Sequence, residues 1–328
     1  MPKELIHFKT AEKTAALLAD TRFAPGLAAH PQGVLLGAVL HDALFYGATP
    51  RALPMARLAH RIHGARGEDT YALLRLQARH AARAANRDLA GALLVGMASH
   101  LWADTVMHPM VWHLTGDYYA ASRREKSLAR QRHRALESLL DMTACPEMIG
   151  RPLYRIHDQL ASLGPALYEA LPLDGMAELA GIRPGKAGPA LASALKVFAG
   201  FQRLFPVRRL AFALYAASAW MPDTAREIAA LFYAPQWLDQ ADRVNGAIRY
   251  RDPVSDEVRE ESAAELMDRA ADRAGTLCRR LEPAVFYGAG QVLPETGPSL
   301  DSGRRGSGTR EMRHMAEKFF PSLPQHSR

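Results

Sequence analysis

An apolar stretch that carries polar and charged side chains is the feature that most constrains how this chain folds. The stretch runs from Leu89 to Leu114 and contains His100, Asp104 and His108. It is long enough to cross a membrane, but an ionised aspartate near the middle of a bilayer is costly. We therefore predict a long buried helix lined with polar side chains rather than a membrane span.

The spacing of these three polar residues predicts a metal site. His100, Asp104 and His108 follow one another at four-residue intervals, so on a helix they project from nearly one face, with a drift of about 40° per step. A buried charge costs several kcal/mol unless it is paired or coordinated, and a bound cation would remove that cost for Asp104. A hydrogen-bonded polar seam between helices is the alternative.

Further candidate ligands lie elsewhere in the first 145 residues. They are His7, Asp42, His63, His133 and Glu137. The last two are again four residues apart, and antiparallel packing of adjacent helices would bring them towards His108. Taken singly, each of these residues is more typical of a structural role, and such a His–Glu pair is usually a surface helix pair. They indicate a metal site only in combination with His100, Asp104 and His108.

The available ligand types favour zinc. The sequence contains only two cysteines, Cys145 and Cys278, which excludes a four-cysteine zinc site and a disulfide framework. Zinc is the natural metal for sites built from His, Asp and Glu, with manganese and iron as alternatives. Two zinc ions about 3.5–4 Å apart can hold the attacking and departing oxygens of a phosphoryl group. A bridging carboxylate suits that geometry.

Helical periodicity dominates the sequence, without a convincing set of alternating strands, so we predict an all-α fold. Residues 1–145 are predicted to form a metal-binding core, residues 146–293 a helical extension packed on that core, and residues 294–328 a basic, disordered tail. The predicted helices are Glu4–Asp20, Gly33–Leu44, Glu68–Ala85, Asp88–Leu114 (kinked or ended by Pro109), Asp117–Met142, shorter pieces in Leu153–Leu171, Ala190–Phe205, Val207–Phe232 interrupted at Pro222, and Val254–Leu281.

The charge of the chain favours anionic partners. A net charge of +7 suits phosphate groups, a lipid surface or a nucleic acid, without choosing among them. The first residues contain no apolar segment typical of a signal peptide. We therefore predict a cytoplasmic protein that makes peripheral contact with an anionic membrane surface.

The order of the candidate ligands resembles that of the zinc-dependent phospholipase C and S1/P1 nuclease superfamily. The ordered set is His7, Asp42, His63, His100-x3-Asp104-x3-His108 and His133-x3-Glu137. It is especially similar to the bacterial zinc-dependent phospholipase C-like domain, over roughly residues 1–145. The resemblance implies a multi-helix phospholipase C/P1 nuclease-like bundle, here with a helical C-terminal extension, and a cluster of two or three zinc ions.

The resemblance also implies a role for each ligand. It predicts three groups: Asp42, His63, His100 and Asp104 for a first metal, His108, His133 and Glu137 for a second, and His7 with the bridging Asp104 for a third. Asp42 would also act as general base, so Asp42 and Asp104 are the predicted catalytic residues. Secreted relatives complete the third site with an N-terminal tryptophan. Removal of Met1 would expose Pro2 five positions before His7, and we hypothesise that the amine and carbonyl of Pro2 then replace it here.

The predicted function is zinc-dependent hydrolysis of phosphodiesters, with phospholipids as substrates in the manner of a phospholipase C. Basic residues between Arg123 and Arg134 could attract phosphate, or form a solvated helix face. The C-terminal half is predicted to cover the core or shape the substrate entrance. Aromatic side chains could line an apolar approach, with a place in the core as the alternative: Phe45, Tyr46, Trp102, Trp112, Tyr118 and Tyr119.

Three other functions stay open from the sequence. A single-strand nuclease or nucleotidase of the same superfamily is the main alternative enzyme, although the sequence does not place the base-stacking aromatics that it needs. The pair His41-Asp42 also suggests an HD-type phosphohydrolase, which would not require His133 and Glu137. A helical scaffold or lipid-binding module that keeps zinc for structure alone is the non-enzymatic alternative.

Overall fold

The structure is a computed structural model that describes residues 3–47, 49–50 and 52–321. It confirms the predicted all-α class, with one small hairpin of strands among the described residues. The helices are α1 Glu4–Ala16, α2 Ala24–Ala29, α3 Pro31–Ala43, α4 Leu53–Ile62, α5 Ala72–Ala81, α6 Arg87–Thr115, α7 Arg123–Ala144, α8 Ile156–Leu163, α9 Ala166–Glu169, α10 Leu173–Ala180, α11 Ala187–Leu204, α12 Arg208–Ala217, α13 Asp223–Ala229 and α14 Ala263–Phe286. The strands are β1 Ala247–Arg251 and β2 Val258–Ser262, and 3-10 turns cover Leu44–Tyr46, Pro146–Met148, Pro152–Tyr154, Ser218–Trp220, Pro235–Arg243 and Thr309–Glu311.

Helix α6 forms the centre of the fold. The Asn86 side chain accepts a hydrogen bond from the Leu89 amide (2.9 Å) and so caps the start of the helix. Pro109 does not end the helix, which continues to Thr115 and stops at Gly116, whose φ of 94° favours glycine. Among the described residues, α6 is the one helix long and apolar enough to cross a membrane. Of its apolar 18-residue stretch, 94% is buried inside the protein. Such burial is typical of a core helix.

Helices α3 and α6 cross in backbone contact through two glycines. A Cβ atom added to Gly96 would overlap the carbonyl oxygen of Val34 and would lie 2.8 Å from the Cα atom of Gly37. Because glycine lacks that atom, the two backbones can touch at this point. Asp42 lies little more than one turn beyond the crossing on α3, and His100 lies about one turn beyond it on α6. The crossing therefore sets these two side chains next to each other.

A buried carboxylate from α7 fixes the first turn of α1. The amides of Leu5 and Ile6 donate hydrogen bonds to Asp141, at 3.1 and 3.0 Å. The Tyr233 hydroxyl donates to the same carboxylate at 2.8 Å. Unpaired amides at a helix start carry partial positive charge, which a carboxylate stabilises. This contact orients the turn of α1 that carries His7.

The region before α14 differs from the sequence-based prediction. We predicted a helix over Val254–Leu281, but the residues from Val258 to Ser262 form strand β2, which pairs antiparallel with the preceding β1. The helix α14 begins only after β2, at a capping box formed by Ser262 and Glu265. Ile248 and Tyr250 of β1 are buried, and this tertiary burial outweighs the helix propensity of the Arg and Glu residues in β2.

Residues 297–320 form a packed segment, here called the strap, that lies along the helices of the N-terminal half. The disordered tail that we predicted from residue 294 is therefore wrong for residues 294–321, and residues 322–328 lie outside the described part. The composition is rich in Gly, Ser and Arg, but the strap backbone pairs with distant backbone, as where the Leu300 amide donates to the His63 carbonyl oxygen (2.9 Å). Composition does not reveal such pairing. The division of the preceding residues into core and extension stays a prediction.

Candidate metal centre

Asp104, in the middle of α6, is fully buried and faces four imidazole rings. Its Oδ1 atom lies 3.4 Å from His7 Nε2 and 3.7 Å from His108 Nε2. Its Oδ2 atom lies 3.3 Å from His100 Nε2 and 3.7 Å from His63 Nε2. Each oxygen thus faces a different pair of rings, which is the arrangement that a carboxylate bridging two cations needs.

A first group of potential ligands joins three parts of the chain. One atom each from Asp42, His63, His100 and Asp104 lies within 4.8 Å of the others. Asp42 lies at the end of α3, His63 directly follows α4, and the other two belong to α6. Asp42 Oδ1 is 3.2 Å from His63 Nε2, and Asp42 Oδ2 is 3.6 Å from His7 Nε2. His7, on α1, therefore approaches both carboxylates of this group.

A second group lies one helical turn further along α6. Single ligand atoms of His108, His133 and Glu137 lie within 4.8 Å of one another. His133 Nε2 is 2.9 Å from Glu137 Oε1, and His108 Nε2 is 3.9 Å from the same oxygen. The structure thus brings the α7 pair to His108, as the spacing suggested. Pro2, which we hypothesised to complete a third site, lies outside the described residues.

Backbone carbonyl oxygens hold three of the imidazoles in one tautomer. Nδ1 of His63 lies 2.7 Å from the Ala59 carbonyl oxygen, and Nδ1 of His100 lies 2.8 Å from that of Ala38. Nδ1 of His108 lies 2.7 Å from the Leu300 carbonyl oxygen. A carbonyl oxygen only accepts, so each Nδ1 carries the hydrogen and each Nε2 presents its lone pair to the centre. Metal-binding histidines are held in this way.

Several buried polar atoms at the centre lack hydrogen-bond partners among the described residues. These atoms are the Nε2 atoms of His7, His100 and His108 and both carboxylate oxygens of Asp104. Leaving such atoms unsatisfied in a protein interior is expensive. Divalent cations held by the two ligand groups, with Asp104 between them, would satisfy these atoms. The nitrogen and oxygen donor set, without thiolates, fits zinc.

The ionisation states also suit a cation. Burial lowers the pKa of His7 to about 4 and that of His108 to about 3, so both rings are neutral near neutral pH. Burial alone would raise the pKa of Asp104, but the surrounding imidazoles hold it well below its usual range; Asp104 and Asp42 in turn raise the pKa of His100 against the effect of its burial. Neutral imidazoles and an ionised carboxylate are the forms that bind zinc.

A cavity of about 420 Å³ opens beside both ligand groups. Five of the six aromatic residues proposed from the sequence line it: Phe45, Tyr46, Trp112, Tyr118 and Tyr119. Trp102 does not; it lies on another side of α6, where its ring is 5.2 Å from the Arg273 guanidinium. The C-terminal half supplies part of the wall through α11 and α13, with Phe198, Phe201, Ile228 and the following Leu231.

Two of the basic residues on α7 face this cavity. Arg130 and Arg134 line it, while Arg123 and Arg124 are exposed at the start of the helix. Arg134 donates to the Glu227 carbonyl oxygen at 2.9 Å, and both cavity arginines lie within 4 Å of the Glu227 carboxylate. The exposed start of the helix fits the solvated face, whereas phosphate attraction by the two cavity arginines stays a prediction.

Sequence reasoning missed one acidic residue at the centre. Asp301, in the strap, is buried, lines the cavity and places Oδ1 3.8 Å from His108 Nδ1. Burial raises the pKa of Asp301 to about 6. Its contact with His108 joins positions almost two hundred residues apart in a segment without helical periodicity, so no local spacing signals it.

The comparisons with known proteins agree with this geometry. A protein-family model described as zinc dependent phospholipase C matches residues 6–169. Neither the search of curated proteins nor the search of solved structures gave a match. The matched segment is half of the chain and contains both ligand groups as well as His7. The chain therefore belongs to the zinc-dependent phospholipase C family.

Proposed function

We propose that this protein hydrolyses phosphodiesters, with phospholipids as its substrates, by means of zinc ions held at the buried centre. The group around Asp42 and His63 would hold one ion, and the His108 group a second. His7 together with Asp104 would hold a third. The observation that carries the proposal is the Asp104 carboxylate, whose two oxygens face different pairs of imidazoles.

The residues of the centre have separable roles in this chemistry. When bound, zinc lowers the pKa of a coordinated water and stabilises negative charge on phosphoryl oxygens. Asp42 is the carboxylate of the first group that also lines the cavity, so we assign it the role of general base towards the attacking water. Asp104, which is fully buried, holds the ligand groups together. Arg130 and Arg134 line the cavity and would attract the anionic phosphate.

The far wall of the cavity favours a lipid. Phe198, Phe201, Ile228 and Leu231 line it with side chains that cannot donate hydrogen bonds. Lipid carbons gain free energy from burial against such a wall, at about 25 cal/mol per Å². The aromatic side of the cavity around Trp112 could instead stack a base, so a single-strand nuclease is the second outcome that the experiment must separate.

The position of His41 does not support an HD-type phosphohydrolase. Among the described residues, His41 belongs to neither ligand group. Its ring stacks on that of His100, with centroids 4.6 Å apart. His133 and Glu137, which an HD-type site would not need, instead approach His108. These placements support a phospholipase C-like centre.

The protein would meet its lipid at an anionic membrane surface. Phe212 on α12 is 56% exposed and follows the exposed Arg208 and Arg209. Ile228, on the cavity wall, is 39% exposed, and its helix α13 packs against α12. Exposed apolar side chains beside cations suit an anionic lipid interface, and the net charge of +7 has the same sign.

Metal analysis paired with a hydrolysis panel tests this function. We expect about two or three zinc ions per chain, cleavage of phosphatidylcholine in vesicles that also contain an anionic phospholipid, loss of activity with a chelator and its recovery with zinc. Asp42→Asn should remove most turnover but leave the helical content unchanged. Cleavage of single-stranded DNA but not of phospholipid would make the protein a nuclease. Full zinc content without turnover of either substrate would leave only the structural role.

A further inference from the structure

The strap joins the two ligand groups through one residue. The Leu300 amide donates to the carbonyl oxygen of His63 at 2.9 Å, and the Leu300 carbonyl oxygen accepts from Nδ1 of His108 at 2.7 Å. Asp301, the next residue, lines the cavity. The family match ends at residue 169, so these contacts come from a part of the chain outside it.

Glycines let the strap lie directly against the backbone of the metal-binding helices. Gly303 has a φ of +70°, and a Cβ atom added there would lie 2.6 Å from the Thr105 carbonyl oxygen and 3.2 Å from Cγ of Pro109. Thr105 and Pro109 directly follow Asp104 and His108 on α6. On the other side, a Cβ atom on Gly64 would lie 3.2 Å from Cα of Ser299. A side chain at Gly303 would therefore lift the strap from α6.

We propose that the strap is a positioning element of the second metal group, and that strap docking and metal binding at His108 are energetically coupled. This inference rests on the proposed metal site. The Leu300 carbonyl oxygen keeps the hydrogen of His108 on Nδ1 and leaves Nε2 free to bind a cation. Loss of such a partner weakens metal binding by about 10- to 100-fold. Because coupling is reciprocal, metal at this group must stabilise the docked strap by the same factor.

Two glycine substitutions in the strap separate docking from local strain. Gly303→Ala places a methyl group against α6, whereas Gly306, with a φ of +66°, has no atom within 4 Å of the added Cβ among the described residues. Both changes put alanine at positive φ, so the strain is matched. We expect Gly303→Ala to weaken zinc binding by about 10- to 100-fold, to lower the zinc bound per chain and to change the Co²⁺ absorption spectrum, with Gly306→Ala close to the unchanged protein.

Limited proteolysis of the unsubstituted chain provides a second measurement that does not depend on the glycine variants folding. Trypsin sites in the strap are exposed at Arg305, Arg310 and Arg313. We expect zinc to slow cleavage there in the full chain, and this effect to vanish in His108→Ala. Neither measurement needs turnover, so an inactive but zinc-binding protein would still test the coupling.

Two results would overturn the inference. The first is zinc binding by a folded Gly303→Ala variant that is as tight as that of Gly306→Ala. The second is cleavage of the strap at the same rate with and without saturating zinc. If either result is found while phospholipid is still hydrolysed, the inference fails and the proposed function stands. If zinc binding and strap docking are coupled but phospholipid is not hydrolysed, the inference stands and the proposed function fails.

Discussion

At the scale of single residues, the shared carboxylate of Asp104 is the most demanding part of the centre. Its oxygens face His7 and His108 on one side and His63 and His100 on the other. Asp104→Asn keeps the shape of the side chain but removes its charge and one acceptor oxygen. We expect it to lower zinc binding at both groups and to reduce hydrolysis by at least about 100-fold.

His133→Ala is the matched comparison for that change. His133 belongs to one ligand group only, so its loss should remove chiefly one zinc ion per chain. Elemental analysis of both purified variants, after dialysis against the same free zinc concentration, gives the two stoichiometries. If Asp104→Asn loses no more zinc than His133→Ala, the carboxylate does not bridge the groups.

The sequence predicts the position of a site residue only where that position depends on spacing within one helix. The spacing of His100, Asp104 and His108 predicts a shared helix face, and the structure places all three at the centre. The same rule shows why Trp102 lies elsewhere: on a helix a residue two positions after His100 points about 200° away. The role of Asp301 depends on the path of the strap, which local spacing cannot reveal.

At the scale of elements, the crossing of α3 and α6 controls whether the first group can assemble. We expect Gly96→Ala to force these backbones apart and to destabilise the zinc-free protein by about 1–3 kcal/mol, as overpacking does. Zinc binding should weaken as well, because Asp42 would move away from His100. Unfolding in guanidinium chloride measures the first effect, and competition with a chelator measures the second.

Gly200→Ala is the control for helix propensity. Gly200 lies in α11, and an added Cβ atom has nothing within 4 Å of it among the described residues. Alanine there should stabilise the helix by about 0.5–1 kcal/mol. Equal stabilisation by Gly96→Ala would mean that α3 and α6 do not touch at this point.

Helices with long buried stretches could be predicted from the sequence, whereas segments held by distant backbone pairing could not. The apolar stretch around Asp104 predicted α6 because its burial is continuous. The hairpin of β1 and β2 was missed because its strands are short and β2 is rich in charged residues, so few residues, chiefly the buried Ile248 and Tyr250, favour a strand. The strap has no periodicity at all; distant backbone partners hold it.

At the scale of the whole molecule, segments far apart in sequence meet at one buried point. His7 from α1, Asp42 from α3 and Glu137 from α7 all approach the ligands on α6. Periodicity predicts each helix separately, but their meeting depends on packing between helices that no local pattern encodes. The resemblance to a known family therefore supplied the division of the ligands into groups, and the structure supplied the contacts with the C-terminal half.

The exposed surface of α12, which packs against the α13 wall of the cavity, is where we expect the protein to contact a membrane. Phe212→Glu would place a carboxylate where we propose contact with lipid, so binding to anionic vesicles should weaken by about 10-fold or more, since burying a phenylalanine contributes about 1.5–3 kcal/mol. Val258→Glu is the matched control, because Val258 is 45% exposed on β2, outside that region. Cleavage of a soluble short-chain substrate should stay unchanged in both variants.

Equal vesicle binding by the two variants would rule out this surface as the membrane contact. Loss of self-association in Phe212→Glu, with vesicle binding intact, would make it an interface between copies of the chain.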